Sequence, residues 1–127
     1  MTFNQKILSW YNKNKVEFPW RTTDDPYKIW VSEIMLQQTQ VTTVIPYYNK
    51  WIVKFPTLND VAKASDEDLF KYWEGLGYYN RVNNFRIACN EVIEKFNGKV
   101  PSSKADLMQL KGIGDYTSSA IASIAFN

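Results

Sequence analysis

Apolar side chains recur at intervals of three and four residues along almost the whole chain, which is the period of an amphipathic helix. Between turn signals, no stretch of the sequence alternates apolar and polar residues in the manner of a half-buried strand. The pattern therefore predicts an all-α protein. The predicted helices cover residues 3–11, 26–38, 41–55, 58–63, 66–74, 80–96, 104–110 and 115–126.

Residues with helix-capping chemistry stand at several of these boundaries. Asp25 followed by Pro26 is typical of an N-cap and a first helical residue, and Ser65 is a predicted cap of the fifth helix. Pro46 falls inside the third helix, which tolerates it only in the first turn or at a kink. On the sixth helix, the residues predicted to face inward are Val82, Phe85, Cys89, Val92, Ile93 and Phe96.

The composition indicates one packed domain and leaves the function open. A chain of 127 residues with 45% hydrophobic and 16% aromatic residues can bury a core and does not have the composition of a disordered protein. A net charge of +2 permits a nucleic-acid partner without indicating one. The only cysteine, Cys89, is a predicted core thiol, and the lack of histidine disfavours metal catalysis by these side chains.

The two ends of the sequence provide predictions about the cellular compartment of the protein and about its full length. The first 15 residues contain no apolar run long enough for a signal peptide or a membrane span, which predicts a cytosolic protein. The last predicted helix stops at Asn127 without a capping residue or a polar tail. The sequence is therefore expected to be part of a longer protein.

A single carboxylate, Glu33, stands in the otherwise apolar helix over residues 26–38. At about 100° per residue, Lys28 and Ser32 form a narrow polar strip, and Glu33 falls opposite that strip among apolar neighbours. Burial raises the pKa of a carboxyl group and keeps its protonated form available near neutral pH, as a general acid requires. The alternative is a structural ion pair with an arginine, for which the candidates are Arg21, Arg81 and Arg86.

A loop with two glycines precedes the last predicted helix in the stretch LKGIGDYT, residues 110–117. Gly112 and Gly114 let the backbone pass close to a phosphate, and the N–H groups that open the next helix can bind an anion. This pattern fits a helix-hairpin-helix motif, which would bind a nucleic-acid backbone without distinguishing its bases. Ordinary packing of two helices across a loop explains the same pattern, so both interpretations stay open.

Two tyrosines, Tyr78 and Tyr79, follow a glycine turn in the stretch WEGLGYYNR, residues 73–81. A protruding aromatic side chain can wedge between base steps and help to expel a nucleotide from a duplex. The alternative is that both tyrosines pack over the turn. The position directly after the turn predicts that at least one of them protrudes.

Four motifs occur together and in a fixed order: FPWR at 18–21, DPYKIWVSEIMLQQTQV at 25–41, WEGLGYYNR at 73–81 and LKGIGDYT at 110–117. In this combination the sequence resembles the N-terminal part of the MutY-type adenine DNA glycosylases, a family in the helix-hairpin-helix glycosylase superfamily. The resemblance implies that residues 1–20 form an N-terminal helix and linker that belong to an iron-sulfur companion domain. It also implies a six-helix barrel over residues 21–127, with the hairpin at about 104–126.

The family excises adenine opposite 8-oxoguanine or guanine after flipping the adenine out of the duplex. By resemblance, Glu33 is the acid that protonates the adenine ring. Tyr116 assists from the position where bifunctional relatives carry a nucleophilic lysine, so a Schiff-base lyase is disfavoured. Gln38 is expected to insert beside the extruded adenine, and Tyr78 next to the 8-oxoguanine. All the residues expected to contact DNA or the target base are Trp20, Arg21, Gln38, Thr39, Tyr78, Gly112 and Gly114.

Other functional groups of the family lie further along its sequence. They are an aspartate that stabilises positive charge on the sugar, four cysteines that bind a 4Fe-4S cluster, and a domain that recognises 8-oxoguanine. The resemblance therefore implies no metal or cofactor within these 127 residues, a cluster in the longer protein, and little or no glycosylase activity for these residues alone. The expected partner is double-stranded DNA with an adenine mismatch, bound by a monomer in the cytoplasm at the nucleoid and away from membranes.

Two other functions stay compatible with the sequence. The chain could belong to a related glycosylase for another mismatch, such as thymine opposite guanine, although Glu33 beside LQQTQ favours adenine. It could also act only as a non-catalytic DNA-binding module through its hairpin. Excision assays over a mismatch panel distinguish these functions.

Overall fold

The computed structural model describes residues 23–37, 39–77 and 79–126, and all regular structure within these ranges is helical. This confirms the predicted all-α class. The predicted helix over residues 3–11, and with it the segment 1–20, lies outside the described residues. The described helices are α1 (Pro26–Leu36), α2 (Val41–Lys54), α3 (Leu58–Lys63), α4 (Asp66–Trp73), α5 (Tyr79–Lys95), α6 (Lys104–Leu107) and α7 (Asp115–Ala125).

The predicted caps are present where the local sequence places them. The Asp25 carboxylate accepts a hydrogen bond from the Tyr27 N–H at 2.9 Å, and Pro26 is the first residue of α1. The Ser65 hydroxyl accepts from the Asp68 N–H at 3.1 Å at the start of α4. Each cap satisfies an N–H group that has no partner within its helix, so these boundaries follow from local chemistry.

Some predicted helix ends are wrong by one to three residues. Helix α1 ends at Leu36 rather than Gln38, because Gln37 adopts an extended backbone with ψ at 113°. Helix α6 ends at Leu107 rather than Leu110. Leu110 is buried instead as part of the turn, with its N–H donating to the Leu107 carbonyl at 3.1 Å. At α6 the apolar period continues to Leu110, past the point where the helix ends, whereas at α1 the extended backbone begins directly after the last apolar residue, Leu36.

Pro46 lies in the second turn of α2 rather than in its first turn. Its ring removes the N–H that would bond to the Thr42 carbonyl. Thr42 is exposed, so water can reach the backbone there in place of the missing donor.

The inward faces of two helices differ from the predicted ones. On α5, Ile93 is 36% exposed and Phe96, just past the helix, is only partly buried, whereas Ala88 is fully buried. On α1, Ser32 is buried rather than part of a polar strip, and its hydroxyl donates to the Ile29 carbonyl at 2.6 Å. A serine that satisfies its hydroxyl within its own helix can face other helices, so periodicity alone misplaced it.

Aromatic rings form the centre of the core between α1, α2, α4 and α5. The Trp51 ring lies 4.7 Å from Phe55 and 5.9 Å from Trp73 between centroids, and the Phe85 ring packs edge-on against Trp30 at 4.7 Å. Helix α7 packs extensively on α1, and α3 packs on α5. Cys89 is fully buried among these helices, and burial raises the pKa of its thiol, as predicted for an inert core cysteine. Over the part of the chain that the structure describes, every helix is too short or too polar to cross a bilayer.

Replacing Tyr27 by phenylalanine is expected to lower the free energy of unfolding by about 1–3 kcal/mol. The Tyr27 hydroxyl donates to the Phe55 carbonyl at 2.5 Å and accepts from the Trp51 Nε1–H at 3.1 Å, so its removal leaves a buried acceptor and a buried donor unsatisfied. Urea denaturation measures the change. The control is Tyr79→Phe at a 46% exposed tyrosine, which should alter stability by less than about 0.5 kcal/mol. Equal stability of the two variants would contradict the role of the Tyr27 hydroxyl.

Candidate active site

Helix α1 carries Glu33 into a position that is 4% exposed. The helix is almost entirely buried because α2 and α7 both pack against it. The facing side of α7 is built from small buried residues, among them Ser119 and Ala120, which let the two helices approach closely. The burial predicted for Glu33 from periodicity is thereby confirmed.

Two of the three arginines proposed as ion-pair partners of Glu33 have other contacts. Arg86 forms an ion pair with Asp66 and donates to the Ala64 carbonyl at 3.4 Å. Arg81 donates to main-chain carbonyls, including that of Ile34 at 2.7 Å. Arg21 lies outside the described residues, so pairing with Arg21 stays a prediction.

Tyr116, near the N-terminus of α7, lines the same cleft as Glu33. The cleft has a volume of ≈ 460 Å³, and Tyr116 is 53% exposed at its edge. Burial raises the pKa of the Tyr116 phenol, and the nearby negative charge of Glu33 raises it further. The phenol therefore stays protonated at neutral pH and can donate a hydrogen bond into the cleft. The other lining residues are Leu36, Gln37, Thr39, Gln40 and Val41.

The segment after α1 forms one wall of this cleft. Thr39, a predicted contact residue, lies there with its N–H donating to the Leu36 carbonyl at 3.4 Å. Gln37 was not predicted as a site residue, yet its Nε2 donates to the Thr117 hydroxyl at 3.3 Å and so joins α1 to α7. Its position four residues after Glu33, on the same side of the helix, is the signal that could have identified it.

The loop between α6 and α7 has the backbone geometry that the two glycines predict. Gly112 has a φ of +79°, and a Cβ at this position would lie 3.1 Å from the Cβ of Asn84 on α5. Only glycine fits both requirements without strain. Gly114 is the N-cap of α7, with open space where a side chain would be. The start of α7 thus has no side chain at its N-cap position, and the first N–H groups of a helix are the donors that an anion site uses.

Contacts from outside the loop hold this hairpin in place. The Glu91 carboxylate on α5 accepts a hydrogen bond from the Lys111 N–H at 2.8 Å. An ion pair between Lys104 Nζ and Asp115 Oδ1 at 2.5 Å joins α6 to the start of α7. Nothing in the local sequence identifies Glu91 as a hairpin residue, because its partner lies twenty positions away. A smaller cavity of ≈ 130 Å³ is lined by both Gln37 and Gly112, so the hairpin adjoins the end of α1.

Four of the predicted contact residues lie outside the described residues: Trp20, Arg21, Gln38 and Tyr78. Their roles stay predictions, although the chain on both sides of Gln38 is described and lines the cleft. Tyr79, directly after Tyr78, is 46% exposed and packs edge-on against Phe70 at 5.6 Å between centroids. Within ranges 23–37, 39–77 and 79–126, no group of cysteine and acidic side chains has an arrangement that could hold a metal ion.

Comparison with known proteins identifies the family. Residues 31–124 match the model for "HhH-GPD superfamily base excision DNA repair protein". Relatives named adenine DNA glycosylase are 48% identical in Rattus norvegicus and 46% identical in Homo sapiens, each over 98% of this chain. A relative of the same name in Buchnera aphidicola subsp. Baizongia pistaciae is 44% identical over all of this chain. The chain spans 26%, 24% and 36% of the lengths of these three relatives.

Solved structures show the same relationship. A thermostable thymine-DNA glycosylase superposes with a TM-score of 0.83 at 33% identity, covering 98% of this chain and 58% of that protein. Endonuclease III in a non-covalent complex with DNA superposes with a TM-score of 0.76 at 25% identity, covering 99% of this chain and 61% of that protein. The similarity to adenine DNA glycosylases expected from the motifs is confirmed, and the chain belongs to the HhH-GPD superfamily of base excision DNA repair proteins.

Proposed function

We propose that the complete protein is a base excision repair glycosylase that removes adenine mispaired with 8-oxoguanine or guanine. The observation that carries this proposal is Glu33, a carboxyl group that is 4% exposed and lines one cleft together with Tyr116. Relatives that are 44% to 48% identical across this chain carry the name adenine DNA glycosylase, which supports adenine as the target.

In the proposed reaction, Glu33 donates a proton to a ring nitrogen of the extruded adenine. The bond between C1′ of the sugar and N9 of adenine then breaks, and its electron pair leaves with the protonated base, which departs as neutral adenine. Water adds to the sugar cation and gives up a proton to the Glu33 carboxylate, which restores the acid. The wall formed by Leu36 and Val41 limits water around the acid. The protonated Tyr116 phenol donates a hydrogen bond and, unlike a lysine amine, cannot form a Schiff base with the sugar. The enzyme is therefore proposed to be monofunctional.

DNA binding is assigned to the residues around this cleft and to the hairpin. The N–H groups at Gly112 and at the start of α7 would bind a phosphate, while Gln38, Thr39 and Tyr78 would contact the distorted duplex. Trp20 and Arg21 would line the adenine pocket. The 4Fe-4S cluster and the aspartate that stabilises the sugar cation are assigned to residues outside these 127, in a monomer that works at the nucleoid in the cytoplasm.

A panel of duplexes tests the proposal with the full natural chain. Adenine should be released from duplexes with adenine opposite 8-oxoguanine or guanine, and the strand should break only after alkali, with no adduct trapped by borohydride. The structural similarity to a thymine-DNA glycosylase makes thymine opposite guanine the necessary comparison. Preferential release of thymine would show that the protein is a thymine glycosylase instead. Binding without release of any base would show that it is a DNA-binding module. Absence of DNA binding would contradict all three functions.

A further inference from the structure

Arg81, in the first turn of α5, contacts two separate segments with one guanidinium group. Its Nη1 donates to the Ile34 carbonyl at 2.7 Å and also to the Gln37 carbonyl, both at the C-terminal end of α1. Its Nη2 donates to the Leu76 carbonyl at 3.3 Å and the Gly77 carbonyl at 3.5 Å in the turn before α5. One side chain therefore joins the end of the Glu33 helix to the turn that leads into residue 78.

The four main-chain carbonyls that Arg81 binds can be bridged by a guanidinium group but not by an ammonium group. The last carbonyls of a helix lack intrahelical donors, and a planar guanidinium can bind several of them at once with charge-assisted hydrogen bonds. The Arg81 guanidinium also lies over the Trp73 ring, at 5.2 Å from its centroid. A lysine ammonium is a compact charge without the two separate NH2 groups of a guanidinium, so it cannot bridge carbonyls on two segments in the same way.

Each of the two segments also accepts or donates a hydrogen bond that does not involve Arg81. Trp73 Nε1 donates to the Gly77 carbonyl at 2.8 Å, so that carbonyl accepts from both Trp73 and Arg81. At the other segment, the Gln37 side chain donates to Thr117 on α7, next to Tyr116. A continuous series of contacts thus runs from the glycine turn through Arg81 to the cleft.

We infer that Arg81 is a positioning residue that fixes the end of α1 at Gln37 and the turn at Leu76 and Gly77 relative to each other, so that Gln38 and Tyr78, which follow these two segments, enter the duplex together. The inference rests on the proposed function for the roles of Gln38 and Tyr78. Because both segments share one guanidinium, displacing it loosens both of them. Base extrusion, which needs both residues in place, then becomes less favourable.

The experiment compares variants of two arginines on the same helix in the full natural chain. Arg81→Lys and Arg81→Met remove the guanidinium group that binds both segments. Arg86→Met is the matched control because Arg86 forms an ion pair with Asp66 instead. The first readout is hydrogen exchange in the free protein at the N–H groups of residues 37, 39 and 76, each of which donates to a described carbonyl. The second is the fluorescence of 2-aminopurine placed opposite 8-oxoguanine, which reports extrusion of that base.

Both Arg81 variants should exchange about tenfold faster at both segments and extrude 2-aminopurine about tenfold less, while Arg86→Met changes neither. Faster exchange at only one segment, or unchanged extrusion in Arg81→Met, would overturn the inference. If Arg81→Met does not fold, as judged by thermal unfolding, Arg81→Lys decides. A wild-type protein that excises no adenine refutes the proposed function, whereas the exchange of the two segments still decides on Arg81.

Discussion

Replacing Glu33 by glutamine is expected to lower the rate of adenine excision by about a thousandfold, because general acid catalysis contributes about 10²–10⁴ to such reactions. Glutamine keeps the size and the hydrogen-bonding plane of the side chain but has no proton to donate to the base. Binding to a duplex with adenine opposite 8-oxoguanine should change by less than about twofold, since the substitution leaves the hairpin proposed to bind the phosphates unchanged. Single-turnover excision in the full natural chain separates the chemical step from product release.

The matched control for this substitution is Glu94→Gln on the exposed side of α5. It makes the same chemical substitution outside the cleft, so its excision rate should equal that of the wild-type protein. Thermal unfolding of Glu33→Gln shows whether the variant is folded under the conditions of the excision assay. Excision at the wild-type rate by Glu33→Gln would show that Glu33 is a structural glutamate rather than the acid.

Replacing Gly112 by alanine is expected to weaken duplex binding by about tenfold, which corresponds to about 1.4 kcal/mol. The alanine would have to adopt a φ of +79° with its Cβ 3.1 Å from that of Asn84, so the loop must move away from α5. That movement displaces the N–H groups proposed to bind a phosphate. Titrations at several salt concentrations should therefore also show a salt slope smaller by about one, as expected for the loss of one phosphate contact.

Gly98→Ala provides a control with the same backbone strain at a different place. Gly98 has a φ of +77° in the turn after α5, with open space around its Cα. Both variants should lose about 1 kcal/mol or more of stability, but Gly98→Ala should bind DNA as the wild-type protein does. Equal DNA affinity of the two variants would mean that the loop at Gly112 does not contact the phosphate backbone.

These two substitutions test different parts of one arrangement. In the proposed function, Glu33 acts on the base after extrusion, whereas Gly112 contacts the DNA backbone before it. Gln37 lines the cavities next to both residues, and its hydrogen bond to Thr117 links α1 to α7. The proposed acid and the loop proposed to bind a phosphate therefore both adjoin the contact between α1 and α7.

Much of this arrangement follows from short-range patterns. Asp25 and Pro26 start α1 as their chemistry predicts, and the apolar period of that helix correctly placed Glu33 away from water. The same period failed for Ser32 and Ile93, because the width of a buried face depends on which elements pack against the helix. One or two turns of sequence in α1 or α5 do not indicate which other helices will pack against them.

The contacts that organise the site were not predictable in this way. Glu91 binds the Lys111 N–H from another helix, and Arg81 binds carbonyls at the end of α1 and in the turn before α5. A glutamate or an arginine on a partly exposed helix has many possible partners, and only the packing of helices selects one of them. The sequence therefore indicated candidate residues for the chemistry but not the residues that position them.

The amino-acid sequence by itself determined the helical class, the capped helix starts, the glycine hairpin and the burial of one carboxylate, because each depends on residues within about one turn of the chain. Only the tertiary structure decided that Glu33 and Tyr116 share a cleft, that Gln37 bridges α1 and α7, and that Arg81 joins the end of α1 to the turn before α5. These pairings connect residues far apart in the chain, and the burial of apolar helix faces against each other brings them together.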